Sequence, residues 1–131
     1  MVIGQRIHNL AASLVARTHT LVSGVERKLG GEDEGQDPHE LLESALAGCT
    51  IITVQMYANR KGWPLESCDV RVKIESEGKE GTTISRKVAF RGALSAEQRT
   101  RLMEIANLCP IHKILTGSIA LDDQMVETLP T

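Results

Sequence analysis

The chain has 131 residues, of which 41% are hydrophobic and 24% charged, and a formal net charge of −2. This size and composition predict one globular domain over residues 1–131 that needs no disulfide or metal for stability, and the slightly acidic balance argues against nucleic acid as a partner. We find no signal peptide and no apolar run of ~18 residues, so we expect a cytoplasmic protein without a membrane partner.

Two strands are predicted before the first loop. Apolar residues alternate over residues 10–14, polar residues at 17–20 indicate a turn, and residues 21–29 fit a second strand. Residues 30–37 (GGEDEGQD) combine glycines with acidic side chains and are predicted to form a loop.

The strongest prediction is a long helix over residues 38 to about 60. Asp37 suits the N-cap, Pro38 the first helical position and Glu40 the first turn, while Gly62 is expected to end the helix. Apolar residues cover most of its circumference, so we expect burial on most sides. Because a chain of this size can hardly bury such a helix alone, we predict dimer formation around it. These residues are Leu41, Leu42, Ala45, Leu46, Cys49, Ile52, Val54, Met56 and Tyr57.

A hairpin follows the long helix. Apolar and charged residues alternate over residues 68–75, residues 77–81 (EGKEG) indicate a turn, and Ile84, Val88 and Phe90 share one face of a partner strand.

Two helices and a strand are predicted to complete the chain. Ser95 with Gln98 predicts a capping box before a helix with an apolar stripe, Pro110 breaks that helix, and residues 111–115 begin a short one. Residues 119–126 are predicted to form a final edge strand. Hairpins grouped with helices in this order indicate an α+β fold.

Three cysteines without a secretion signal argue against a disulfide framework. Cys49 lies mid-helix among small residues, which fits either a buried apolar side chain or a thiol open to a partner helix or a substrate. Cys109 precedes Pro110 as a candidate N-cap, where backbone N–H groups favour a thiolate, although packing alone also explains it. Cys68 lies on the apolar face of a strand and is expected to be structural.

A metal site is a weaker interpretation of the same residues. Cys49, Cys109, His112 and His39 offer ligand atoms, but only Cys109 and His112 have a short spacing of the kind typical of zinc sites. We expect no metal and no other cofactor.

Four stretches resemble the OsmC/Ohr family of thiol-dependent peroxidases. They are GG at residues 30–31, DPHELLESALAGCT at 37–50, MYANRKGWPL at 56–65, which resembles the general OsmC-like subgroup, and LCPIHKIL at 108–115. The resemblance extends over about residues 21–131. It implies the OsmC-like fold, with antiparallel hairpins around a long buried central helix, in an intertwined homodimer.

The resemblance also implies a chemistry. Cys49 matches the peroxidatic cysteine, which attacks the O–O bond of an organic hydroperoxide, and Cys109 matches the cysteine that resolves the sulfenic acid as a disulfide. A dithiol or a lipoylated protein then reduces the disulfide. The apolar surroundings of Cys49 suit an alkyl or lipid-like hydroperoxide.

One part of the family pattern differs in this chain. Characterised peroxidases have a Glu after the helix-starting proline, which pairs with an arginine that holds the thiolate. Here His39 occupies that position and Glu40 follows about 100° further around the helix. Arg27 and Arg17 are the candidate arginines, and each also fits an exposed strand charge. His39 is a candidate acid, base or cation, or simply an exposed first-turn histidine.

Three functions remain open on the sequence. The first hypothesis is a peroxidase that uses Cys49, Cys109 and one of the two arginines. The others are a non-catalytic dimer that binds an apolar ligand and a thiol redox sensor that forms a disulfide without sustained turnover.

Overall fold

The computed structural model describes residues 1–129 as two groups of antiparallel strands and three α-helices. The strands are β1 (Ile3–His8), β2 (Ala11–Ala16), β3 (His19–Ser23), β4 (Leu65–Gly78) and β5 (Gly81–Gly92), and the helices are α1 (Pro38–Lys61), α2 (Ala96–Ala106) and α3 (Pro110–Thr116). The sheets have the orders β1-β2-β3 and β4-β5. This arrangement confirms the predicted α+β class with antiparallel hairpins around a long helix.

Local signals set both ends of α1. The Asp37 side chain accepts a hydrogen bond from the Glu40 amide at 2.8 Å, and Glu40 Oε1 accepts one from the Asp37 amide at 3.1 Å. These two bonds form a capping box, with Pro38 in the first turn. Gly62 ends the helix at φ 69°, a left-handed conformation that glycine adopts without a Cβ penalty.

The core lies between one face of α1, the β4-β5 hairpin and α2. Val54 and Ala58 of α1 and Leu102 of α2 are fully buried there. β4 and β5 pair from Leu65 opposite Gly92 through Val72 opposite Arg86 to Gly78 opposite Gly81. Because side chains alternate across a strand, Ile84, Arg86, Val88 and Phe90 of β5 share the half-buried side.

The structure differs from the predicted elements in three places. Strand β1 was not predicted, and β3 ends at Ser23 because residues 27–29 form a short 3-10 helix. Residues 119–126 form no strand, because a strand needs a hydrogen-bonded neighbour and nothing in residues 1–129 pairs with them. In the single chain the buried residues of α1 lie along one stripe, so the predicted burial on most sides depends on a second copy and stays a prediction. The residues of the stripe are Leu46, Thr50, Val54 and Ala58.

Helix α1 is also long and apolar enough to cross a bilayer by length and composition, which the sequence interpretation did not anticipate. The same property is shared by core helices of soluble proteins, and α1 packs against β4, α2 and α3 in this fold. Its length and hydropathy are therefore weak grounds for a membrane span.

Candidate active site

Cys109, the candidate resolving cysteine, lies at the corner between α2 and α3. Cys109 is fully buried and is the N-cap of α3, with its Sγ 3.4 Å from the backbone N–H of His112, which donates to it. Pro110 occupies the first turn of α3, so the predicted cap is confirmed.

Thr50 connects this corner to α1. Its Oγ1 lies 4.0 Å from Cys109 Sγ and donates a hydrogen bond to the Leu46 carbonyl at 2.8 Å. A hydroxyl has one hydrogen and two lone pairs. Because Thr50 donates that hydrogen to Leu46, the Cys109 thiol is the donor in any weak hydrogen bond between Cys109 and Thr50.

Cys49, the candidate nucleophile, is the residue before Thr50. Cys49 is half-buried, its thiol is free, and its Sγ lies 3.9 Å from Oγ1 of Thr53. Successive residues of an α-helix are about 100° apart, so Cys49 faces away from the buried stripe while Thr50 lies on it. The structure therefore brings Cys109 against the turn of α1 that carries Cys49.

Arg86 of β5 reaches the same turn, and the sequence analysis did not single it out. Its Nη1 donates to Thr50 Oγ1 at 3.0 Å and to the Ala106 carbonyl at 3.1 Å, and its Nη2 donates to Asn107 Oδ1 at 2.7 Å. The available signal was its position, since it is the one charged residue on the inward side of β5 between Ile84 and Val88.

Burial and charge act on two further side chains. The pKa of the Cys68 thiol is raised, mainly by burial and to a smaller extent by the Asp69 carboxylate. This shift supports a structural role for that cysteine. The pKa of His112 is lowered, mainly by desolvation and to a smaller extent by the positive charge of Arg86.

The other predicted site residues lie elsewhere. Arg17, at φ 57° in the turn after β2, and Arg27, in the 3-10 helix, are both exposed. Within residues 1–129 neither is among the hydrogen-bond partners of the two thiols. His39 is exposed with its Nε2 2.8 Å from Glu77 Oε1, and Glu40 is held in the capping box of α1.

A cavity of about 470 Å³ opens beside Arg86 and His112. Its walls combine apolar and polar side chains from α1, β5, α2 and α3. The lining residues are Leu46, Thr82, Thr83, Ile84, Arg86, Met103, Asn107, His112, Leu115 and Thr116. This volume is in the range of small-molecule sites, roughly 300–1,000 Å³.

Metal ligands are grouped at a different place from the one considered on the sequence. Ligand atoms of His8, Glu32 and Glu34 lie within 4.8 Å of one another on the surface. The His8 Nε2–Glu34 Oε1 pair at 2.6 Å joins β1 to the loop before α1, so a structural contact accounts for much of this group.

The fold is shared with solved structures of low sequence identity. A Psychrobacter arcticus 273-4 protein, provisionally assigned to the osmotic stress induced and detoxification response, has a TM-score of 0.73 at 16% identity over 86% of this chain and 85% of its own. The Legionella pneumophila organic hydroperoxide resistance protein OsmC has a TM-score of 0.60 at 20% identity over 89% and 90%. Bacillus subtilis OhrB, an organic hydroperoxide resistance protein, has a TM-score of 0.62 at 16% identity over 89% and 91%.

The sequence itself identifies the family. None of the curated proteins compared with the chain matches it. The family model described as OsmC-like protein matches residues 31–122, a span that contains α1, the β4-β5 hairpin and both α2 and α3. On that match the chain belongs to the OsmC-like family.

Proposed function

We propose that this protein is a cysteine-based peroxidase that reduces organic hydroperoxides, with Cys49 as the nucleophile and Cys109 as the resolving thiol. The observation that carries the proposal is the 4.0 Å contact between Cys109 Sγ and Thr50, the residue next to Cys49. Both thiols are free, and they lie on two elements that pack together, α1 and α3.

The proposed chemistry has three steps. The Cys49 thiolate attacks one peroxide oxygen, so that an S–O bond forms, the O–O bond breaks and the alkoxide leaves as the alcohol after taking a proton. Cys109 then attacks the sulfenic sulfur: an S–S bond forms, the S–O bond breaks, and hydroxide leaves as water with the Cys109 proton. An external dithiol, such as a lipoylated protein, reduces the disulfide by exchange and is itself oxidised.

The cavity beside Arg86 and His112 supports the proposed substrate class. Leu46, Ile84, Met103 and Leu115 supply apolar walls near the corner where Cys109 lies. An alkyl chain gains free energy by leaving water for such a surface, whereas hydrogen peroxide has no apolar part to bury. Organic hydroperoxides are therefore the expected substrates, and a reducing compartment such as the cytoplasm would maintain the dithiol.

A homodimer is part of the proposal. The side of α1 that carries Cys49 exposes Ile52 to 61% and Met56 to 58%, and a Cβ built on Gly48 would meet nothing within 4 Å. A second copy packed on this face would bury those side chains and close one wall around Cys49. Arg17 and Arg27 remain the candidates for the cation beside the thiolate, and we propose that dimer assembly brings one of them to Cys49.

The decisive experiment compares cysteine variants in a peroxide-consumption assay with an alkyl hydroperoxide and a dithiol. We expect Cys49→Ser to abolish turnover, Cys109→Ser to oxidise Cys49 without forming an intramolecular disulfide, and Cys68→Ser, the matched control, to behave like wild type. Mass spectrometry of the oxidised wild type should find Cys49 joined to Cys109. Unchanged turnover in Cys49→Ser would refute the proposal.

A second candidate function is a non-catalytic dimer that binds an apolar ligand. It is favoured by the positions of His39 and Glu40, which are engaged with Glu77 and Asp37. This alternative predicts no peroxide consumption by the wild type, together with saturable binding of a fatty acid that Cys49→Ser does not change.

A further inference from the structure

We propose that Arg86 and Thr50 position the resolving thiol, so that Arg86 is a positioning residue for the step in which Cys109 attacks the oxidised Cys49. This inference rests on the proposed function. It assigns a role in one step of that reaction to a side chain of β5 and a hydroxyl of α1.

The first argument is the connection that Arg86 makes. One guanidinium nitrogen bridges two elements, with Thr50 Oγ1 of α1 at 3.0 Å and the carbonyl of Ala106, the last residue of α2, at 3.1 Å. The second nitrogen donates to Asn107 Oδ1 at 2.7 Å. Cys109 follows Asn107 by two residues, so Arg86 holds the segment that leads to Cys109 against the turn of α1 that carries Cys49.

The second argument is the place of the charge. Arg86 lies on the inward side of β5, where Ile84 and Val88 are apolar, and burying a charge there costs free energy. Within residues 1–129 it makes no salt bridge, because its acceptors are a hydroxyl, a carbonyl and an amide oxygen. If stability alone were at stake, an apolar residue would continue the strand pattern at lower cost.

The third argument concerns the Thr50 hydroxyl. Its hydrogen goes to Leu46, it accepts from Arg86, and its remaining lone pair faces Cys109 Sγ at 4.0 Å. Arg86 therefore fixes the orientation of the group that the buried Cys109 thiol contacts. A fixed thiol accelerates attack because misplacement by about 1 Å can cost ~100-fold in rate.

The step is balanced without a further reactant. The sulfenic acid of Cys49 is the oxidant and the Cys109 thiol is the reductant, and the products are the disulfide and water. Arg86 and Thr50 exchange no electrons. They are expected to change the rate of this step and to leave the earlier attack of Cys49 on the peroxide unaffected.

The test separates the two steps in a single-turnover experiment with one equivalent of alkyl hydroperoxide. Peroxide loss reports the first step, and acid-quenched mass spectrometry reports the Cys49–Cys109 disulfide. We expect Arg86→Gln and Thr50→Val to slow disulfide formation about 10- to 100-fold. The rate of peroxide loss should change less than about twofold in both variants. In a separate reaction with excess peroxide, both variants should accumulate sulfinic acid at Cys49.

Two variants serve as controls. Thr50→Ser keeps the hydroxyl and should form the disulfide at the wild-type rate. Arg91→Gln makes the same change on the same strand, at an arginine that pairs with Asp69 on the exposed side, and should also match wild type.

Disulfide formation at the wild-type rate in Arg86→Gln and Thr50→Val would overturn the inference, as would a parallel loss of both steps. If Arg86→Gln does not fold, the comparison of Thr50→Val with Thr50→Ser decides. Cys49→Ser distinguishes the two levels of the proposal. If it is inert while Thr50→Val behaves like wild type, only the positioning role fails, whereas a fully active Cys49→Ser refutes the peroxidase itself.

Discussion

The two faces of α1 differ in how the single chain covers them. One face presents Thr50, Val54 and Ala58 to the hairpin and α2, and all three are fully buried. The opposite face presents Ile52 and Met56 to solvent, although these side chains are more hydrophobic than Thr50 and Ala58.

This difference shows which side of α1 the single chain covers by itself and which side it leaves exposed to solvent. The closed face has its apolar neighbours and a satisfied hydroxyl, and within residues 1–129 no buried side-chain N or O atom lacks a hydrogen-bond partner. The open face has large apolar groups in water beside Cys49. A helix that is apolar on both sides is stable in solution when a second surface covers the open side.

The largest expected effect comes from placing a charge on the open face. Ile52→Asp should prevent the proposed dimer from forming, because burying a carboxylate in place of an apolar side chain between two copies costs free energy. Sedimentation velocity measures assembly directly, and peroxidase turnover should fall with it if the site needs both copies. Ile114→Asp, the same change at an apolar residue on α3 that is 55% exposed, is the control. A wild-type chain that sediments as a monomer would contradict the prediction.

On the closed face the expected loss is in the free energy of unfolding. Leu102 is fully buried against the core beneath α1, so Leu102→Ala should cost about 2–5 kcal/mol. Leu121→Ala, at a side chain 81% exposed, should change stability by less than about 0.5 kcal/mol. Urea denaturation followed by circular dichroism compares the two, and equal losses would mean that residues 117–129 pack in solution as the core does.

Local rules predicted α1 well because its signals are encoded beside it. Asp37, Pro38 and Gly62 fix the two ends of the helix with bonds that span three or four residues. The same is true of Cys109, whose place as a cap follows from Pro110 alone. Elements and groups of this kind depend little on the rest of the chain, so their prediction from sequence was reliable.

Groups that depend on distant partners could not be predicted in the same way. Residues 119–126 were predicted to form an edge strand, but their side chains do not supply the neighbouring strand that the backbone needs. Arg86 was overlooked because its acceptors, Thr50 and Ala106, lie 36 and 20 residues away in sequence. Its single signal was a charge where an apolar residue was expected.

A smaller effect tests whether the capping box stabilises the N-terminus of α1 or whether packing of the closed face is sufficient. Asp37→Ala removes the side chain that accepts from the Glu40 amide and should cost about 0.5–2 kcal/mol of unfolding free energy. Glu40→Gln keeps an oxygen for the Asp37 amide, so it should preserve both stability and turnover. A loss of turnover in Glu40→Gln at unchanged stability would instead show that the Glu40 carboxylate acts in the reaction.

The smallest expected effect is a pH dependence near the closed face. His112 has its pKa lowered from 6.5, by desolvation and then by Arg86, so the unfolded chain binds the proton more readily than the folded one. Stability from this group is therefore complete above pH 6.5 and is lost as the pH falls from 6.5 to the folded pKa. Titration of the imidazole by NMR should find its pKa below 6.5. Arg86→Gln should raise it only part of the way back, because desolvation, the larger cause, remains. A return to 6.5 would mean that the charge of Arg86 outweighs burial at this edge of the cavity.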